Sequence, residues 1–189
     1  MFRRSTRASQ RGFTLFELLT ALSVAGVLAA VGVPAMGSFH GKAVVDAQVQ
    51  SLSSAMRRAR QEAITRGELV TVCAMDPATA ESTEPDCLAS GKNWSAGWIV
   101  FVDRGRRGEI GSSDRVITVH QSGDNKGGAL STQRYVTYRA GGEMLSLASH
   151  FRFLPPGQPL EDAALPGSVL VCINKPGRPR VARSQDCEG

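Results

Sequence analysis

The sequence predicts an α+β fold in which one long N-terminal helix packs on an antiparallel β-sheet, and three observations lead to it. The stretch from Leu18 to His40 carries no formal charge. Beyond Lys42, apolar residues recur at helical spacing. From Leu69 onward, short β-branched and aromatic runs alternate with Gly, Pro, Asp and Asn, and no helical pattern separates them. Consecutive strands are therefore expected to be antiparallel.

Length and charge limit the possible classes of protein. A chain of 189 residues suits one modest domain plus an appendage. The formal net charge is +5, but four of the 22 basic residues lie before the first apolar stretch, in a segment without acids: Arg3, Arg4, Arg7 and Arg11. Without that segment, 18 basic side chains face 17 acidic ones. The basic pI therefore gives no argument for nucleic-acid binding by the whole protein.

The uncharged stretch is long enough to cross a membrane. At about 1.5 Å per residue, it exceeds the roughly 30 Å thickness of the hydrocarbon layer. Pro34 lies inside it and removes one backbone hydrogen bond, which predicts a kink. Gly26, Gly32 and Gly37 permit close helix approach. A bent helix that packs in bundles fits this pattern.

The residues before this stretch carry a specific signal. The run Arg11-Gly12-Phe13-Thr14-Leu15-Phe16-Glu17 resembles the prepilin signal of the type IV pilin superfamily. The resemblance implies that a prepilin peptidase cuts between Gly12 and Phe13 and methylates the new amino group of Phe13. Residues 1–12 would then be a cleaved leader, and residues 13–40 a transmembrane segment that later enters the filament core.

Glu17 stands alone at the edge of the apolar run. Transfer of an unpaired carboxylate from water into the hydrocarbon layer costs roughly several kcal/mol of free energy. On position alone, Glu17 could simply mark the headgroup boundary. The resemblance implies instead that Glu17 compensates the charged N-terminus of a neighbouring pilin during assembly.

Residues 41–67 form the amphipathic half of the predicted helix. Apolar residues recur there at spacings of 4, 3, 4, 3 and 4: Val45, Val49, Leu52, Met56, Ala59 and Ala63. Gly67 is a plausible stop. One continuous helix from Phe13 to Arg66 is expected, with its second half on the globular domain.

Residues 68–189 are predicted to form that β-rich domain, with a basic C-terminal tail. Seven strands are expected: Leu69–Ala74, Trp98–Val102, Val116–His120, Tyr135–Arg139, Phe151–Leu154, Val169–Ile173 and a weaker one at Arg180–Ala182. The segment from Asn93 to Asp103, with Trp94 and Trp98, resembles the GspH/FimT family. This resemblance implies a type IV pilin-like fold. The two tryptophans are interpreted as core residues.

The four cysteines are Cys73, Cys87, Cys172 and Cys187, and all lie in the part expected to be exported. Three pairings are possible, and the two sequence-local pairs are favoured because they need no long-range order. Neither a CxxC motif nor a histidine at ligand spacing is present, so no metal and no cofactor is predicted.

The sequence contains no catalytic motif. It has no GxSxG, HExxH, P-loop or dinucleotide fingerprint. The acids Asp103, Glu109 and Asp114 are interrupted by arginines and lack EF-hand spacing, so their loop is interpreted as a solvated turn or a subunit contact. The chain is expected to be a substrate of a processing enzyme and not an enzyme itself.

The C-terminal tail is the candidate binding surface. Its basic residues are Lys175, Arg178, Arg180 and Arg183. Guanidinium groups suit phosphates because they donate paired hydrogen bonds. The run from Gly177 to Arg180 resembles the Gly-Arg-x-Arg tail of FimT members, which is implicated in DNA capture during natural transformation. The resemblance implies weak, non-specific contact with double-stranded DNA; the alternative is a solvated edge with charges for solubility.

Three functions remain open at this stage. The first is a minor pilin of the FimT/FimU type that helps to assemble or prime a type IV pilus. It would be a single-pass inner-membrane protein with a periplasmic or extracellular domain, and its partners would be prepilin peptidase and other major and minor pilins. The second is a GspH-type minor pseudopilin of a type II secretion system. The third is a membrane-anchored periplasmic binding domain that never polymerises.

Overall fold

The computed structural model of the chain describes residues 13–123, 127–161, 164–182 and 186–187. For residues 31–36 and 38 it describes the backbone alone. The chain divides into two compact units, residues 1–39 and residues 40–189. The larger unit contains both β-sheets.

Helix α1 spans Leu15–Arg66 and is the only helix of the described residues. It ends where Gly67 takes a φ of 68°, a left-handed conformation that glycine adopts without steric cost. All six apolar residues of the predicted stripe, from Val45 to Ala63, are at most 7% exposed. The predicted continuous helix is confirmed. It includes Pro34, and the kink at that residue stays a prediction.

Within the described residues, eight strands follow the helix. They are β1 (Val70–Ala74), β2 (Gly97–Val102), β3 (Arg115–Gln121), β4 (Gly128–Ser131), β5 (Tyr135–Tyr138), β6 (Ser149–Leu154), β7 (Val169–Ile173) and β8 (Pro179–Val181). They form two four-stranded antiparallel sheets, with the orders β3-β2-β1-β5 and β4-β6-β7-β8. The expectation of antiparallel pairing is confirmed. The expectation of a single sheet is wrong, and β4 was not predicted.

The main core lies between the second half of α1 and one face of each sheet. Val72 and Val100 of the first sheet and Phe151 and Val171 of the second belong to the same buried cluster as the helix stripe. Trp94 is fully buried there, in edge-to-face contact with Phe151 at 4.8 Å between ring centroids. Both sheets therefore share one hydrophobic core with the helix.

A second, smaller core covers the opposite face of the first sheet. Its buried residues are Cys73, Met75, Cys87, Ile99 and Phe101. The loop that the Cys73–Cys87 disulfide closes lies over this face. The first sheet is thus packed on both sides, which explains why β1 and β2 are buried along their entire lengths.

Strand β3 contains a β-bulge. Val116 pairs with Phe101 and Thr118 pairs with Val100, so Ile117 is an extra residue on the edge strand. Opposed residues of an antiparallel pair point to the same face of the sheet. Val116 and Val119 therefore both lie on the outer face, beside the second core, although they are three residues apart.

Candidate functional site

The N-terminus of α1 is closed by a reciprocal pair of hydrogen bonds. The Glu17 backbone N–H donates to Thr14 Oγ1, and the Thr14 N–H donates to Glu17 Oε2, both at 3.2 Å. This is a capping box, which satisfies two of the donors that the first turn leaves without intrahelical partners. The sequence analysis missed it, although Thr-x-x-Glu before an apolar run is its signature.

The capping box leaves Glu17 able to make a further contact. A carboxylate has two acceptor oxygens, and only Oε2 is bonded to other described residues. Phe13, the predicted first residue of the processed chain, is 82% exposed. The other partner of the predicted cleavage site, Gly12, lies outside the described residues.

The first half of α1 exposes its apolar side chains. Leu15 and Phe16 are 78% and 75% exposed, and Leu22, Val27 and Leu28 are each more than 60% exposed. Within the described part of the chain, no helix combines the length and the apolarity needed to cross a bilayer.

The basic tail begins at a turn that hydrogen bonds hold in place. The Gly177 N–H donates to the carbonyl of Asn174 at 2.7 Å, and the buried Tyr138 hydroxyl donates to the Gly177 carbonyl at 3.2 Å. Burial raises the pKa of Tyr138, which keeps this donor protonated. Gly177 has a φ of 75°, and a Cβ there would lie 2.6 Å from the Tyr138 ring, so glycine is required.

A second link ties this turn to the helix. The Met144 N–H donates to the Lys175 carbonyl at 3.0 Å. The short loop before Met144 is held in turn by Arg60 of α1, whose Nε donates to the Gly142 carbonyl at 2.7 Å. The root of the tail therefore has a defined position relative to the C-terminal half of the helix.

Beyond the turn, the tail runs along β7 as the edge strand β8. Arg180 pairs with Cys172, and Cys172 is bonded to Cys187. The Arg180 guanidinium donates to the Cys187 carbonyl at 2.8 Å. Lys175, Arg178 and Arg180 are all exposed. The structure thus brings these three predicted residues together; Arg183 lies outside the described residues.

Both disulfides join sequence-local cysteines, Cys73 to Cys87 and Cys172 to Cys187. This is the pairing that the sequence favoured over the two long-range alternatives. The second disulfide encloses the whole basic tail. A loop of this size loses about 3 kcal/mol of conformational freedom in the unfolded chain, which favours a pre-ordered tail.

The loop from Asp103 to Asp114 differs from the solvated turn that the sequence predicted. Asp103 is 3% exposed. Its Oδ2 accepts hydrogen bonds from Thr71 Oγ1 at 2.6 Å and from the Gly108 N–H at 3.1 Å. Thr137 extends this buried network to β5. The prediction was wrong for Asp103 because the threonines that hold it come from strands distant in the sequence.

The same loop is tied to the start of β1 by an ion pair. Arg104 donates two hydrogen bonds to the Glu68 carboxylate, at 2.9 and 3.0 Å. The hydrogen bond from Arg104 lowers the pKa of Glu68, and the same bond raises the pKa of Arg104. Asp114 accepts from three backbone N–H groups of the loop. These carboxylates organise the loop and are thereby already occupied.

Among the residues described, no group of three or more His, Cys, Asp or Glu side chains could hold a metal ion.

Trp98 is a structural residue, since it is 1% exposed and its ring stacks on that of His120, with 4.2 Å between the ring centroids. The interpretation of both tryptophans as core residues is confirmed.

Two family models match the chain. Residues 48–185 match the family described as type II transport protein GspH, and residues 7–33 match the prokaryotic N-terminal methylation motif. No curated protein matches the chain in sequence.

Two crystal structures of the type IV minor pilin FimU from Pseudomonas aeruginosa have a similar fold. One is 15% identical with a TM-score of 0.52, covering 75% of this chain and 94% of that chain. The other is 16% identical with a TM-score of 0.56, covering 78% and 95%. The predicted type IV pilin-like fold is confirmed.

Proposed function

The chain belongs to the GspH family of minor pilins and pseudopilins, and from this premise we propose that it is a minor pilin of a type IV pilus. It takes part in assembly or priming of the filament and binds double-stranded DNA non-specifically through its tail. It is a single-pass inner-membrane protein before assembly, with residues 1–12 removed by prepilin peptidase. The family and the structural neighbours are structural pilins and not enzymes.

The methylation motif carries the assembly part of the proposal. It covers residues 7–33, which include the Gly12–Phe13 junction, Glu17 and most of the uncharged stretch. The exposed apolar side chains of residues 15–30 need a nonpolar partner, either lipid or sister helices. Glu17 Oε1, which makes no bond to the described residues, is available for the amino group of a neighbouring Phe13.

The assembly proposal is tested on the native full-length chain. We expect the mass of the purified protein to correspond to a chain that begins at N-methylated Phe13. Glu17→Ala should abolish incorporation into filaments, whereas Thr14→Ala, which disrupts only the capping box, should reduce it much less. A protein that still begins at Met1, or normal incorporation of Glu17→Ala, would overturn the proposal.

The pre-ordered basic tail supports the DNA part of the proposal. Lys175, Arg178 and Arg180 are exposed beside a fixed turn and inside a disulfide-closed loop. Non-specific binding to duplex DNA depends on the number of phosphates that cationic groups neutralise. Three such groups give weak and strongly salt-dependent binding.

The DNA part is tested with the full-length chain in detergent micelles and a labelled duplex. Lys175→Gln with Arg178→Gln should reduce the slope of log K against log [salt] by about 2, because each phosphate contact contributes about 0.9. Arg57→Gln with Arg58→Gln, on the exposed face of α1, is the matched control and should leave the slope unchanged. Equal salt-dependence slopes for the two variants would show that the tail does not contact DNA.

A second candidate function is favoured by the family description itself, which names a type II transport protein. As a GspH-type minor pseudopilin, the chain would use the same N-terminal segment in a short periplasmic filament. Deletion of the gene distinguishes the two functions. Loss of surface pili with normal protein secretion supports the minor pilin, and the reverse result supports the pseudopilin.

A further inference from the structure

The two disulfide-closed loops have opposite charge. The chain between Cys73 and Cys87 contains four acids, Asp76, Glu81, Glu84 and Asp86, and no basic residue. The chain between Cys172 and Cys187 contains four basic residues and one acid. Among the described residues, none of the four carboxylates of the first loop forms an ion pair. The acidic loop is therefore not neutralised by the described residues of its own unit.

An apolar groove adjoins this acidic loop. It has a volume of about 420 Å³ and lies between residues 83–86 and the outer face of β3. Val116 and Val119 line it, 45% and 38% exposed, because the bulge at Ile117 directs both to this face. Glu84 and Asp86, which are both exposed, also line it. The groove thus combines apolar side chains with two carboxylates.

The basic tail has the complementary character. Lys175 and Arg178 are exposed at the turn, and Val181 at the end of β8 is 54% exposed. A turn and short strand that present cations beside an apolar side chain match a groove lined by apolar side chains and carboxylates. Among the described strands, β8 contacts β7 and not β3. Strand β8 therefore does not fill the groove of its own chain.

We propose that the groove between the acidic loop and β3 receives the basic tail of a second copy of this chain. The two surfaces differ, so the contact is head-to-tail, and each pair of copies keeps one unoccupied groove and one unoccupied tail. Such a contact propagates along a row of subunits and does not close a dimer. It goes beyond the proposed function because it requires neither DNA nor another pilin.

Photo-crosslinking in nuclease-treated membranes tests the contact. Benzoyl-phenylalanine placed at Val119 should crosslink to residues 175–181 of a second, isotopically labelled copy, as mapped by mass spectrometry. Glu84→Lys with Asp86→Lys should lower the yield about tenfold, and so should Lys175→Glu with Arg178→Glu, because each variant places like charges opposite one another.

Mixing the variants separates this contact from general misfolding. A probe-bearing chain with Lys175→Glu and Arg178→Glu keeps the acidic groove, and a chain with Glu84→Lys and Asp86→Lys keeps the basic tail. Together they should recover the wild-type yield, although neither crosslinks to itself. Arg57→Glu with Arg58→Glu is the control and should change nothing. Adducts elsewhere on the chain, adducts to other proteins only, or no recovery on mixing would overturn the proposal.

Discussion

The two disulfides close loops of nearly equal length, with sequence separations of 14 and 15, but their surroundings differ. Cys73 and Cys87 are both buried, beside Met75 and Phe101. Cys187 is only half-buried and ends an exposed tail. Loop-closure entropy depends mainly on length, about 3 kcal/mol for each. The comparison teaches that similar cross-links can stabilise a core in one place and orient a charged segment in another.

The largest effect is expected from removal of the buried disulfide. Cys73→Ala with Cys87→Ala should lower the free energy of unfolding by about 4 kcal/mol, because lost packing in the second core adds to the loop entropy. Urea unfolding of the full-length chain in detergent, followed by tryptophan fluorescence, measures it. A loss of unfolding free energy no larger than that caused by removal of the Cys172–Cys187 disulfide would contradict the difference assigned to the two disulfides.

Removal of the tail disulfide should cost about 3 kcal/mol, mainly the entropic part, because only Cys172 of this pair is buried. Cys172→Ala with Cys187→Ala should also weaken DNA binding about tenfold, because a tail without its closure must be ordered on binding. The buried pair, replaced in the same way, is the control for DNA binding. Equal DNA affinities of the two double variants, under conditions where both are folded, would contradict the assigned difference.

A smaller effect concerns the loop beside the second core. Asp103→Ala leaves Thr71 Oγ1 and the Gly108 N–H without their acceptor, which should cost about 2 kcal/mol of unfolding free energy. Glu109→Ala in the same loop removes only surface ion pairs and should cost less than about 1 kcal/mol. Similar losses in urea unfolding would show that the buried network contributes little to holding the loop.

The smallest effect is pH-dependent. Because Arg104 lowers the pKa of Glu68 in the folded chain, their pairing stabilises the fold above the unfolded pKa of about 4.3. This contribution is lost as the pH falls through the lower, folded pKa. The stability difference between the wild type and Glu68→Gln should thus be constant above about pH 5 and disappear in acid. A difference that grows on acidification would contradict the assigned direction.

Much of the fold could be predicted because local sequence patterns, the spacing of apolar residues and the runs of β-branched residues, determine it. The spacing from Val45 to Ala63 places one stripe on one helix face, and all of it is buried. The β-branched runs marked seven of the strands within one or two residues of their bounds. Strand β4 escaped because Gly128–Ser131 contains no β-branched or aromatic residue; its pairing with β6 is decided by tertiary packing.

The features that the sequence did not predict depend on contacts between residues that are distant in the chain. The strands form two sheets and not the expected one because β4 pairs with β6, whereas β5 pairs with β1. Hydrophobic alternation within a strand does not specify which strands pair. Asp103 is buried by Thr71 and Thr137, which lie on two other strands. For the candidate site, the sequence located the basic tail, whereas Tyr138 and Arg60, which fix its root, carry no local signal.

The bulge in β3 lets the strand carry one extra residue without a change in its outer face. Deleting Ile117 would leave Val116 and Val119 two positions apart in regular alternation, so both would still lie on that face. A strand of the same length without the bulge would instead turn one of the two valines to the opposite face. Relatives with a single-residue gap at this point are therefore expected to keep the same neighbours on this surface, provided that both valines are retained.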